Sequence, residues 1–332
     1  MADAEFLLCL LIAVRIGVVD YLLLLLCERI CHPSHPPFAK RIPSEKGGRR
    51  PPISAYPKDA RLKSYVWVFM TGEGYRPALW YALGPGRNAG IPKEFLAGGP
   101  EGRYLQTDGY EGYYGLEGIT NVCCLAHIRR KLYDASKVGD RDMVGNAGTA
   151  VSKIDLIFRE DTLIREELRP TEGSRGYYGE RLRLRKERIT PLLDDFYSFL
   201  EGLFPDGGKK AGRMMFEKAA CYALKLKPFM YNFLLDGRLS LSNNDAERAV
   251  KPYVLGRKNW LFSDTGEGAK ATCLMYSVCE SATRNGLDAE RYFAWLFRNL
   301  PEPTPFNKDF DYTPYLPWSD SIPDEIKAIA RR

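Results

Sequence analysis

"KSYVWVFMTGEGYRPALWYAL", Lys63–Leu83, is where regular pattern begins, and its reading decides the fold. Tyr65, Trp67 and Phe69 alternate with Val66 and Val68. A two-residue period sends aromatics to one face of a strand and valines to the other. "TGEGY" supplies turn residues and "PALWYAL" reads as the returning strand, so a hairpin is expected here. Further on, "GPGRNAGIP" breaks the sheet, and "RYLQT" is a third strand ending at Asp108-Gly109. "NVCCLA" is a fourth, running into the helix "HIRRKLYDASK".

From there to about residue 238 the period changes to that of helices. Ile154, Ile157, Ile164 and Leu168 share one helical face. Ile189, Leu192, Leu193, Phe196, Leu200 and Leu203 form a stronger stripe, with Pro191 either kinking that helix or starting a new one. A third helix is expected over roughly Arg213 to Lys225. Later, Ala271, Leu274, Met275, Val278 and Ala282 are spaced for a helix closed by Asn285-Gly286. "DAERYFAWLFRNLP" is one more, capped by Asp288 and stopped by Pro301. Strands first, then a helical block, then returning helices suit an α+β or α/β core with a helical insertion.

Upstream of the hairpin, residues 32–60 are rich in Pro, Gly and basic residues and read as a linker. Before it, "FLLCLLIAVRIGVVDYLLLLLC" (Phe6 to Cys27) has the length of a bilayer span. It carries Arg15 and Asp20, and a charge near the centre of a span costs roughly 2.5–3.5 kcal/mol. No basic leader or cleavage site marks it as a signal peptide. A buried helix or an irregular extension is the reading preferred over a membrane helix. "CERICHPSH" crowds Cys27, Cys31, His32 and His35 into nine residues, tighter than zinc-finger spacing.

Composition fits a globular protein: 45% hydrophobic and 27% charged residues, with a net charge of +6 that permits contact with a polyanion without requiring it. The eight cysteines form no CxxC pair, which points to reduced thiols and a cytoplasmic setting.

Two carboxylates stand out, each with an ordinary reading beside a catalytic one. Asp108 ends a strand, where a rigid element aims side chains into clefts, yet Asp-Gly is also simple turn chemistry. Glu247 lies three residues after Asn244, the spacing of a capping box, and four before Lys251, a favourable helical ion pair.

Taken together, "DGYEGY", "CLAHIRRK", "NNDAERAVKPYVLGRKNWLFS" and "YSVCESATRNGLDAERYFAWL" resemble the insertion-sequence-66 family of transposases, from about Lys63 to about Trp318 and including "LPWS". The resemblance implies a DDE enzyme of α/β class: a ribonuclease-H-like mixed sheet core with a helical insertion. It implies metal-dependent DNA strand cleavage and transfer, with Asp108 and Glu247 as the second and third acids and as ligands of Mg²⁺ or Mn²⁺. Such carboxylates hold two divalent ions roughly 3.5–4 Å apart.

The first acid is not found. Family members carry an "ADET"-like segment about twenty residues before the "KSYVWV" strand. Here that place holds "KRIPSEKGGRRPPIS", with no Asp and only Glu45. Asp59 is too close to the strand, and Asp3 and Asp20 are too far upstream. An impaired enzyme is therefore expected. Its alternatives are an inactive DNA-binding remnant and, from another class, a membrane-anchored interaction protein.

Arg129, Arg130, Lys131, Arg248, Arg257 and Lys258 are the candidate DNA contacts, since cations neutralise phosphates. Trp260 could stack on a base, but Leu261 and Phe262 beside it favour a core position. His127 is as readily structural as functional. "RLRLRKER", Arg181 to Arg188, reads as a solvated basic run. The expected organisation is an apolar extension (1–31), a linker (32–61), the first part of the core (62–138) and a helical insertion (139–238). The returning catalytic helix and its successors (239–300) and a tail (301–332) follow. Expected partners are transposon ends and target DNA, bound by a homo-oligomer, in a cytoplasmic, nucleoid-associated protein rather than a membrane protein.

Overall fold

The computed structural model describes the backbone of residues 21–30, and residues 64–84, 90–96, 103–205, 207, 214–260, 266–300 and 311–327. The chain is a mixed α/β protein, mostly helical, around one five-stranded sheet of order β3-β2-β1-β4-β5. The strands are β1 (Tyr21–Ile30), β2 (Ser64–Thr71), β3 (Leu79–Gly84), β4 (Arg103–Thr107) and β5 (Ile119–Cys123). β2 runs antiparallel to both β1 and β3, while β1, β4 and β5 are mutually parallel. The helices are α1 (Gly90–Leu96), α2 (Leu125–Ala135), α3 (Arg141–Leu168), α4 (Tyr177–Leu203), α5 (Met215–Met230), α6 (Asn244–Trp260), α7 (Gly266–Arg284) and α8 (Ala289–Asn299).

The alternation in β2 sorts two cores. Val66, Val68 and Met70 join the large core with α2 to α6, whereas Trp67 and Phe69 join a smaller one with Leu96, Leu105, Tyr113 and Leu316. β3 is an edge strand, and α7 covers it. Buried Ser281 and Ser277, one helical turn apart, accept the backbone N–H groups of Leu79 and Tyr81 at 2.9 Å each. Unpaired edge groups are thereby satisfied inside the chain. This burial rotates the stripe expected for α7: Cys273, Leu274, Val278 and Ala282 face inward, and Met275 is 46% exposed.

Two further expectations are corrected. The apolar run expected as a helix or irregular extension supplies β1, the central strand, over Tyr21–Ile30. A strand in the middle of a sheet whose two faces are both covered favours a continuous apolar run over an alternating one. Asp20 immediately precedes it, and Cys27 of the Cys/His cluster falls within it. Residues 1–20, the linker, the remaining cluster residues Cys31, His32 and His35, and Pro301 lie outside the described residues. Among the described residues, no helix is long and apolar enough to cross a membrane.

The basic run of α4 is not simply solvated. Arg181 and Arg185, one turn apart, are fully buried between α3, α4 and the loop before α6. Arg185 bonds Asp161 at 2.7 Å and the carbonyl of Leu239 at 2.6 Å. Arg181 reaches Glu73 at 2.7 Å.

Pro191 lies within continuous α4, and Leu203 at the helix end is partly exposed. Asp288 caps α8 as expected, accepting from the Arg291 N–H at 3.1 Å.

Candidate functional site

The site forms where α6 starts, because the segment leading into it is tied to two strand ends. Gln106 Nε2, in β4, donates to the carbonyl of Ser240 at 2.6 Å. The N–H of Leu125 donates to the carbonyl of Leu241 at 2.9 Å, and the N–H of Asn243 approaches Cys124 Sγ at 3.4 Å. The first turn of α6 is therefore held against the β5–α2 junction, next to the end of β4.

Asp108 follows the last residue of β4. Its Oδ1 accepts the N–H of Tyr110 at 3.1 Å, and Gly109 takes φ +82°, so the turn reading of Asp-Gly is correct locally. Tyr222 of α5 donates to the Asp108 carbonyl at 2.6 Å, which anchors the turn to the helical insertion.

Glu247 points across to α2 and forms no capping box with Asn244. Its N–H bonds the carbonyl of Asn243, and α6 begins at Asn244. Its carboxylate lies 3.2 Å from His127 Nε2 and 3.4 Å from Arg130 Nη2. Side-chain exposure is 16% for His127 and 24% for Glu247, so both are withdrawn yet reachable.

His127 is the only histidine among the described residues. Its charge balance links the two acids. Burial lowers its pKa, with Arg130 and Lys131 acting in the same direction, while Glu247 and Asp108 pull it back up. Asp108 and Glu247 thus act electrostatically on one imidazole although 139 residues separate them in sequence (247 − 108).

The basic residues divide. Arg130 meets Glu247, and Lys131 sits over the Tyr222 ring at 4.6 Å. Arg129 is engaged with Asp155 at 2.5 Å, joining α2 to α3. Arg248 is on another side of α6, paired with Asp245 at 2.6 Å. Arg257 and Lys258 are in the last turn of α6, about 15 Å along the helix from Glu247. The side chain of Trp260 lies outside the described residues.

Sequence inspection missed Tyr222, which fixes Asp108, and Arg284, whose Nη2 lies 3.4 Å from the Asp245 carbonyl. Neither has a local signature, because each acts on a partner far away in the chain.

A divalent ion needs clustered hard oxygen ligands. Among the described residues no group of three His, Cys, Asp or Glu side chains could hold one, so Asp108 and Glu247 fall short of a complete set. β1, between β2 and β4, contains one carboxylate, Glu28, whose backbone pairs with Val66.

A model of the IS66 transposase family matches residues 52–271. Three uncharacterized proteins of Sinorhizobium fredii (strain NBRC 101917 / NGR234) are similar. y4hP is 28% identical over 80% of this chain and 49% of its own length. y4qI is 26% identical over 72% and 43%, and y4jD 28% over 66% and 41%. The chain thus spans about half the length of the curated relatives it matches or less. No solved structure matches it. With the family match extending over most of the chain, from before β2 into α7, the protein belongs to the IS66 transposase family.

Proposed function

We propose that this chain is a DNA-binding transposase core of the DDE type whose strand cleavage is impaired. The observation that carries the reading is that Glu247, in the first turn of α6, lies 3.2 Å from His127, an imidazole on which Asp108, just past the end of β4, also acts electrostatically. The strand order β3-β2-β1-β4-β5, with β2 antiparallel to its neighbours, supports a ribonuclease-H-like core. α3, α4 and α5 fall between the two acids and correspond to the helical insertion.

Asp108 and Glu247 are the residues that would hold Mg²⁺ or Mn²⁺, which would supply charge neutralisation at a scissile phosphate. The described residues do not complete that set, and the proposed impairment rests on the sequence, where no first acid is found at its expected place. Arg130 and Lys131 border the acids and would neutralise DNA phosphates there. Two copies on paired transposon ends remain part of the proposal.

Purified protein is incubated with labelled duplex DNA and Mg²⁺ or Mn²⁺, with Asp108→Asn, Glu247→Gln and Glu28→Gln alongside. The expected result is DNA binding with little or no nicking in every sample. Efficient cleavage by the parent that Asp108→Asn and Glu247→Gln abolish overturns the impairment. If Glu28→Gln abolishes it too, the third ligand is in β1. Absence of DNA binding overturns the whole reading.

A further inference from the structure

The start of α6 has a second side, turned away from Glu247. A cleft of about 660 Å³ opens there between the β2–β3 turn, the end of α3, the start of α6 and the end of α7. Five arginines line it: Arg165, Arg169, Arg238, Arg248 and Arg284. Small-molecule pockets are mostly apolar. This cleft is walled instead by guanidiniums, carboxylates, the hydroxyl residues Thr71, Ser240 and Ser242, and the N-terminus of α6.

The arginines are not equivalent. Arg165 pairs with Glu73 at 2.8 Å, Arg238 with Asp236 at 2.7 Å and Arg248 with Asp245 at 2.6 Å. Arg169 and Arg284 form no ion pair with any described residue. Arg169 is exposed on a short turn after α3, and Arg284 ends α7. Behind the wall, fully buried Arg181 shares Glu73 with Arg165, and its Nε and Nη2 atoms find no partner among the described residues. Two guanidiniums therefore draw on one carboxylate. An incoming anion meets two cations outside any ion pair, an incompletely neutralised third behind them, and the positive end of a 17-residue helix.

We propose that this cleft is a track for the DNA phosphate backbone, with Arg169 and Arg284 as its principal phosphate contacts. The proposal rests on the DNA-binding reading above and adds a surface to it. Glu247 and Arg248 are consecutive on α6 and so about 100° apart around its axis, and a strand passing Glu247 continues around the start of the helix into the cleft. Arginine suits this task because its planar fork matches phosphate oxygens. The cleft sets five arginines and several hydroxyl groups against four carboxylates, Glu73, Glu166, Glu172 and Asp245, and guanidinium and hydroxyl groups are the usual donors to a phosphate backbone.

The test measures binding of a fluorescein-labelled duplex of mixed sequence by anisotropy across a KCl series. Removing one phosphate-binding cation lowers the slope of log affinity against log salt by about one. Arg169→Ala/Arg284→Ala is expected to lower it by about two. Arg169→Lys/Arg284→Lys should retain it, and thermal melting should match the parent. As a second readout on the parent protein, bound duplex should protect Arg169 and Arg284 from phenylglyoxal, scored by mass spectrometry.

An unchanged slope and no protection, while Arg130→Ala/Lys131→Ala weakens binding, overturns the track and leaves the DNA-binding reading standing. Failure of the parent to bind duplex overturns both.

Discussion

Two charged clusters flank the segment that enters α6, and they differ in how completely they are closed. At Arg185, a fully buried guanidinium meets Asp161 and two backbone carbonyls, those of Gly237 and Leu239. At Glu247, a carboxylate partly open to solvent lies near His127 and Arg130 at 3.2 and 3.4 Å, looser than the 2.7 Å of the Arg185–Asp161 pair. A pair shut away from water cannot exchange partners without large desolvation costs. A half-open carboxylate can. The buried cluster holds the loop in place, and the open one leaves a carboxylate within reach of solvent beside it.

The largest effect that would break this contrast concerns Asp161. Asp161→Ala leaves the Arg185 charge buried and uncompensated and is expected to cost about 3–5 kcal/mol, read from the urea midpoint. Replacing both partners with leucine should recover much of it. A loss below about 1 kcal/mol would show that the buried pair does not hold the fold.

Gly237→Ala comes next. A Cβ there would lie 1.9 Å from the Tyr178 carbonyl oxygen, so α4 and the loop would have to separate. A loss of about 1–3 kcal/mol is expected, without change in the site's own residues. Asp288→Ala removes the α8 cap, and a shift of about 1 kcal/mol in the same titration is expected. Glu247→Gln should change stability by no more than about 0.5 kcal/mol, the mark of a group that is not holding the fold. A drop as large as that of Asp161→Ala would erase the distinction between the clusters.

The smallest effect at neutral pH concerns the thiols. Burial raises Cys123 to about 12, Cys124 to about 11 and Cys273 to about 12. The unfolded chain ionises its thiols near 8.5, so it releases protons first as pH rises. Stability is therefore whole below that value and declines as pH climbs toward the folded values. Near pH 8 these three thiols should resist iodoacetamide in the native protein and react in urea, as mass spectrometry would show.

Much of the sheet was legible. "RYLQT" is β4 over the same five residues, and the β2 period predicts which side chains enter which core. Local pattern succeeds there because strand pleat acts residue by residue. It failed for Tyr21–Ile30, where an unbroken apolar run has no period to separate strand from helix. It failed also at Arg181 and Arg185. Their burial depends on Glu73 and Asp161, located 108 and 24 residues away.

For the candidate site, Asp108, Glu247 and Arg130 were named from sequence, while the geometry that relates them was not. Nothing local to "NNDAER" distinguishes a capping glutamate from one that reaches α2.

By itself the sequence determined the element types outside Tyr21–Ile30, the family to which the chain belongs and the acids worth naming, since these are carried by local periods and contiguous motifs. Tertiary structure alone decided that Glu247 faces His127 rather than its own helix end, that two arginines of a basic run are buried, and that five arginines from four segments share one cleft. Those outcomes depend on contacts between residues distant in the chain, and on how much water each charge keeps, which no local pattern encodes.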